Sequence, residues 1–307
     1  NAWLKIYDKP VMYFPRFFHP DPSVKRQSGF LKPSFGDSRI LGTSINAPYF
    51  HVLSDSADMT IKPRIFSATR YLLQSEYRKV TKNSNNTIDF SINNDDLRKL
   101  NGTKTHFFLN SLIDLDFSSF NNGKLDIKLE KTSNDNYLKL YSLEDENTIV
   151  QNTSTLESIV EISGDKNDFV FKGSFESYET LGQSNSNRHE FIYPNYSLQK
   201  SLDLDNKIFQ NLDFLSYGNQ RTHTTNIKET VQINDLTLSS STDVLGVGIE
   251  RNFTTLIKNV NSKGSNSTKF KKDGQSEILS ILTYDLSLPL IKNEEKFYKY
   301  LTPKISF

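Results

Sequence analysis

The chain has 307 residues and a formal net charge of +1, so neither a basic nucleic-acid footprint nor an acidic tail points to a partner. Cysteine is absent, which excludes disulfides, thiolate metal sites and cysteine nucleophiles within these residues. Only 36% of residues are hydrophobic, yet aromatics reach 12%, with 22 Phe and 14 Tyr, and a disordered chain is usually aromatic-poor.

No stretch approaches the roughly 18 consecutive apolar residues of a membrane helix, and no charged-then-apolar leader opens the chain. It begins at "NAWLKIYDKP" and stops at "YLTPKISF", which reads as a fragment cut at both ends. Residues 1–26 differ from the rest. They are aromatic, punctuated by Pro10, Pro15, Pro20 and Pro22, and alternate poorly, which predicts the tail of a separate domain and a linker. "KRQSGFLKPSFG" follows, a first strand that carries Gly29 and Pro33 although proline has no N–H for a neighbouring strand.

From there period-2 alternation dominates. Another strand is expected near 39–50, including Pro48. Residues 57–65 set Met59, Ile61 and Ile65 against Asp58, Thr60, Lys62 and Arg64. Residues 70–78 set Tyr71, Leu73 and Tyr77 against Arg70, Gln74, Glu76 and Arg78. In 105–117 the oily face is Phe107, Leu109, Ile113, Leu115 and Phe117, and the wet face carries His106, Asn110, Asp114 and Asp116. Leu125, Ile127 and Leu129 oppose Lys124, Asp126, Lys128 and Glu130, and Phe169, Phe171 and Phe175 oppose Asp168, Lys172 and Glu176. Further strands are expected near 156–163, 190–200, 207–217, 226–239, 243–257, 277–288 and 299–307.

Many alternating strands fit a soluble sandwich or solenoid, or an outer-membrane barrel that turns its apolar face to lipid. The gaps discriminate. They run long at 93–104, short at 118–122, long at 132–153, short at 164–167, long at 179–189 and short at 203–206. Short turns on one side and long polar loops on the other favour the barrel, as do strands near ten residues. The reading is an all-β, antiparallel, transmembrane outer-membrane barrel segment over 27–307, an incomplete barrel of about a dozen strands.

Catalytic and metal chemistry is not indicated. The five histidines lack ligand spacing, so neither a metal nor another cofactor is expected. "GVGIERNF" at 246–253 has Arg251 where a nucleotide loop needs its third glycine, and reads as a strand. Asp114 and Asp116 point the same way on a strand, which suits a polar lumen as well as a catalytic pair, and lumen lining is the simpler reading. Asp58, Lys62, Arg64, Arg70, Glu76 and Arg78 are assigned to the same polar lumen face.

"VMYFPRFFHPDPSVKRQSGFLKPSFG", then "NAPYF" and "DMTIKPRIFSATRYLLQSEYR", resembles the LPS-assembly protein (organic solvent tolerance protein) family, and later strings follow in the family's order. The resemblance implies that a periplasmic jellyroll ends within residues 1–26 and passes into a large barrel. Trp3, Pro15, Lys25, Arg26, Gly29 and Phe30 then belong to the jellyroll and hinge. It implies that lipopolysaccharide leaves through a lateral gate between the first and last barrel strands, weakened at Pro33 and Pro48. It further implies a lumen-plugging lipoprotein and a periplasmic bridge protein as partners, the cell outer membrane as location with the N-terminal part periplasmic, and no enzymatic activity. Sequence physics alone leaves Pro33 and Pro48 equally readable as strand bends. A passive porin or other transporter barrel is the alternative function, and a soluble adhesin or enzyme on a β-scaffold a third.

Overall fold

The computed structural model describes residues 2–6, 9–14, 26–67, 70–94, 103–116, 120–143, 149, 152–184, 188–204, 206, 208–294 and 297–307. Strands β1 (Ala2–Ile6) and β2 (Lys9–Phe14) form a separate two-stranded sheet in which Trp3 pairs with Tyr13. Pro15 and Lys25 lie outside the described residues.

The wall begins with β3 (Gly29–Phe30), β4 (Ser34–Ser38), β5 (Gly42–Asn46), β6 (Tyr49–Ser54), β7 (Ala57–Phe66), β8 (Arg70–Val80) and β9 (Ser84–Asn94). It continues with β10 (Lys104–Leu115), β11 (Asn122–Thr132), β12 (Thr155–Lys166), β13 (Phe169–Thr180), β14 (His189–Asp203), β15 (Phe209–His223) and β16 (Lys228–Ser240). It ends with β17 (Asp243–Val244), β18 (Glu250–Ser265) and β19 (Gln275–Ser287); β20 (Leu290–Glu294) and β21 (Phe297–Leu301) form their own hairpin, and β22 (Lys304–Ser306) returns to β19.

Pairing is antiparallel throughout and the strand order is that of a barrel. Registered pairs run without a break from β7 to β19, and in the strand order of the wall β22 follows β19 and stands next to β3.

Alternation gives the wall its polarity. Ile127, Val160 and Phe175 stand opposite one another on the outer face, as do Phe214, Leu236 and Ile257, and most of these are exposed. On the inner face Thr60, Glu76, Asp89, Phe108 and Glu130 line up across five strands, all buried. Exposed hydrocarbon outside and buried charge inside invert the pattern of a soluble domain.

Three expected strands come out differently. The span 39–50 is broken at Ala47 and Pro48 and starts with a turn, after which Gly42 takes φ +73° and a Cβ would clash with the Ser67 hydroxyl. Within "GVGIERNF", Gly248 closes a turn at φ +82° with its N–H on the Leu245 carbonyl (2.8 Å), and strand begins only at Glu250. The final span is split at Pro303, which has no N–H for the ladder, into β21 and β22.

Candidate functional site

The inner wall near the chain's first strands carries most of the buried polarity. Asp58 is 3% exposed and receives Arg78 Nε at 2.8 Å and Arg26 Nη2 at 2.7 Å, so Arg26 is tied to β7. Glu76 is buried beside Arg78 (3.6 Å), and Arg64, also buried, donates from Nη1 to the Tyr141 carbonyl at 2.8 Å. Lys62 and Arg70 are half-buried on this face, opposite Gln74 and Phe66. Six of the eight residues assigned to a polar lumen therefore share one inner patch. Asp114 is on the inner face but exposed, opposite Lys124. Asp116 lies one residue past the end of β10 and is exposed, beyond the Asp114 N–H that donates to the Asn83 carbonyl (2.7 Å).

What alternation alone did not reveal is the strap that closes over this patch. After β11 the chain enters a short helix α1 (Tyr137–Leu140), and Tyr137, Leu138, Tyr141 and Leu143 are almost completely buried. They pack with Leu41, Phe66, Leu72, Phe108 and Leu156 into the chain's core cluster. The tyrosine hydroxyls find partners on the wall: Tyr137 bonds Ser91 Oγ (2.6 Å) and Tyr141 accepts from Asn93 Nδ2 (2.5 Å). Ser91 in turn meets His106 Nδ1 (2.6 Å), His106 Nε2 meets Asp89, and Gln74 Nε2 donates to Asp89 (3.2 Å).

Serine, histidine and aspartate in line invite a hydrolytic reading, but Ser91 is 1% exposed beneath the Tyr137 ring and no substrate atom can reach it. The line works as a clasp that pairs most of its buried polar groups, leaving Gln74 Oε1 and Asn93 Oδ1 without a partner among the described residues. At the strap's start Arg188 grips Asp135 with two hydrogen bonds (2.6 and 2.9 Å) and also reaches Glu179 (2.6 Å). Those bonds hold the Asp135 carboxyl below the usual carboxylate range. The period-2 string "NTIDFSINN" presents Asp89, Ser91 and Asn93 on one face, so the wall half of the clasp had a signal; its pairing with His106 depends on register.

The first two wall strands are interrupted at one level. Gly29 pairs with Phe50 and Phe30 with Tyr49, whose rings meet edge-on at 5.1 Å, and the Leu31 N–H donates to the Pro48 carbonyl at 2.8 Å. Above that level Ser34 pairs with Asn46, so the register has slipped by one residue and Pro33 occupies the resulting bulge. In an antiparallel ladder a residue that accepts from one neighbour also donates to it. Proline cannot, so Pro48 leaves the Leu31 carbonyl without its ladder bond.

A curved antiparallel sheet with apolar side chains outward and ion pairs inward, its longer strands running from 10 to 16 residues, defines a β-barrel wall of the outer-membrane type. Residues 1–288 match the family described as LptD protein, and the chain belongs to that family. Over 95 residues it is 36% identical to the LPS-assembly protein LptD of Pseudomonas aeruginosa (strain LESB58), covering 31% of this chain and 10% of that protein. Against the LPS-assembly protein LptD of Legionella pneumophila (strain Lens) identity is 25% over 194 residues, covering 59% of this chain and 22% of the relative. The protein of that name from Pseudoalteromonas translucida (strain TAC 125) is 32% identical over 139 residues, 45% of this chain and 18% of its own length. The chain thus spans a minor part of the relatives it matches.

Proposed function

We propose that this chain is the junction and first part of the barrel of an outer-membrane translocon that inserts lipopolysaccharide into the outer leaflet, without catalysis. The name its relatives share supports the substrate. The interrupted pairing of the first two wall strands carries the mechanism. Glycolipid sugars travel against the polar inner face while acyl chains leave sideways, between the first strand and a last strand supplied by the rest of the protein.

An unmade backbone hydrogen bond in hydrocarbon costs several kcal/mol, so a fully paired seam resists opening. Pro48 removes one such bond in advance and the bulge at Pro33 removes regular pairing beside it. Residues 1–26 end a periplasmic jellyroll that takes lipid from a periplasmic bridge protein, and a lipoprotein fills the remaining lumen. The strap already blocks part of the inner face, which disfavours an open passive pore.

The test is Pro33→Gly with Pro48→Gly in the full-length protein, following arrival of lipopolysaccharide at the cell surface. Slower arrival at unchanged assembly level is expected. Unchanged arrival at unchanged assembly level removes the gate.

A further inference from the structure

Pro33 and Pro48 are not alone at their level. Ala47 pairs across β7 with Pro63, its N–H donating to the Pro63 carbonyl at 3.3 Å. By the alternation of an antiparallel ladder the return bond runs from residue 63 to the Ala47 carbonyl, and proline has no N–H to make it. The deficit recurs one interface further in, and Pro63 stands on the outer face between Ile61 and Ile65, where lipid offers no substitute donor. Three prolines on three successive strands thus mark one crease across the sheet.

On the loop side of this crease lies the hairpin β4–β5, residues 34–46. Below, it continues through the irregular segments 31–33 and 47–48; sideways, Ser44, Ile45 and Asn46 pair with β7, and the Ser67 N–H donates to the Thr43 carbonyl at 2.8 Å. An apolar contact also holds its tip. Leu41, at the hairpin tip, is 1% exposed and sits in the strap cluster with Phe66 and Tyr141. Behind the hairpin is a cavity of about 220 Å³ lined by Gly36, Ser44, Asn46, Arg64, Leu140 and Tyr141 among others. A segment with a weakened base, an apolar anchor at its tip and free volume behind it has the parts of a hinged flap.

We propose that the β4–β5 hairpin is a flap that pivots on the Pro33–Pro48–Pro63 crease and is latched shut by Leu41, with Pro63 and Leu41 as positioning residues for lipid passage. The flap gives strand one room to leave its neighbour without unzipping the whole of β6 from β7, and it couples that motion to the strap. The role in passage rests on the translocon reading; the flap itself does not.

The experiment compares Pro63→Val and Leu41→Ser in the full-length protein with its partner lipoprotein, each checked for assembly level, by amide hydrogen exchange over residues 42–47. Pro63→Val restores one donor and is expected to slow exchange of Ile45 and Ala47 several-fold to about tenfold, the scale of one net hydrogen bond. Leu41→Ser is expected to speed it. Pro63→Ala, which also restores the N–H, replaces the valine variant if assembly falls. Surface delivery of lipopolysaccharide is then expected to drop with Pro63→Val. Exchange unchanged in both variants overturns the flap whatever delivery does. Slowed exchange with normal delivery overturns its role in passage, and the Pro33→Gly, Pro48→Gly pair reports separately on the translocon reading.

Discussion

Leu138→Ala tests the strap most sharply. Leu138 is fully buried in the cluster that holds α1 against the inner wall. Removing three carbons forfeits about 2.4 kcal/mol at about 0.8 kcal/mol per buried methylene. The cavity left behind brings such substitutions to about 2–5 kcal/mol. Because the strap is a connection and the wall strands keep their own ladders, that energy should appear as local opening and not as collapse of the barrel. The Leu140 N–H, bonded to the Asn136 carbonyl at 2.8 Å, and the Tyr141 N–H, on the Tyr137 carbonyl at 3.2 Å, are the reporters. At about 1.4 kcal/mol per factor of ten, their exchange should rise roughly 30-fold to several-thousand-fold. Amides in β12 and β13 should keep wild-type rates and the thermal transition should not move. Unchanged exchange at Leu140 and Tyr141, or equal acceleration in all strands, refutes the view that the strap is a separately held plug.

Three further outcomes follow from the wall and its clamp. Ile257→Lys puts a charge on the outer face between Leu236 and Ser280 and should cost up to about 2–4 kcal/mol if the site is at mid-bilayer, falling to about 0–1 near the interfaces, read from refolding of the full-length protein into vesicles. Gly218→Ala should lower the assembled yield, because a Cβ there would sit 2.5 Å from the Val231 carbonyl oxygen and force β15 from β16; yield equal to wild type counts against this close approach. The Arg188 clamp has a defined pH window. Since Asp135 titrates below its unfolded value of about 3.9, its contribution is complete above that value and is lost as pH falls through the lowered one. Strap protection should therefore be flat from neutral pH to about 4 and decline below; a decline centred near pH 6 points to another group.

Much of the wall could be read from the residues, because period 2 is a local property. Asp58, Arg64, Gln74 and Glu76 fall on the buried face for the reason that Ile65, Tyr71 and Leu73 fall on the exposed one. The strap could not be read that way. "NDNYLKLYSL" is too short for a helical period to emerge, and its burial is set by partners on β7 to β10 that lie far away in sequence. The crease was half legible: each proline announces a missing donor, but only the register shows that Pro33, Pro48 and Pro63 share one level. The strand carrying Asp114 ends before Asp116, because a strand's last residue is decided by its neighbours' pairing and not by its own alternation.

In the proposed translocon, glycolipid enters the membrane beside the first wall strand. Phe35 and Phe175 both face outward and are exposed, the first at that seam and the second far round the wall. A photo-crosslinking residue at either position, in cells pulse-labelled for new lipopolysaccharide, reads the order of arrival directly. Adducts should form at position 35 before they form at position 175; simultaneous labelling, or labelling at 175 first, contradicts passage through this seam.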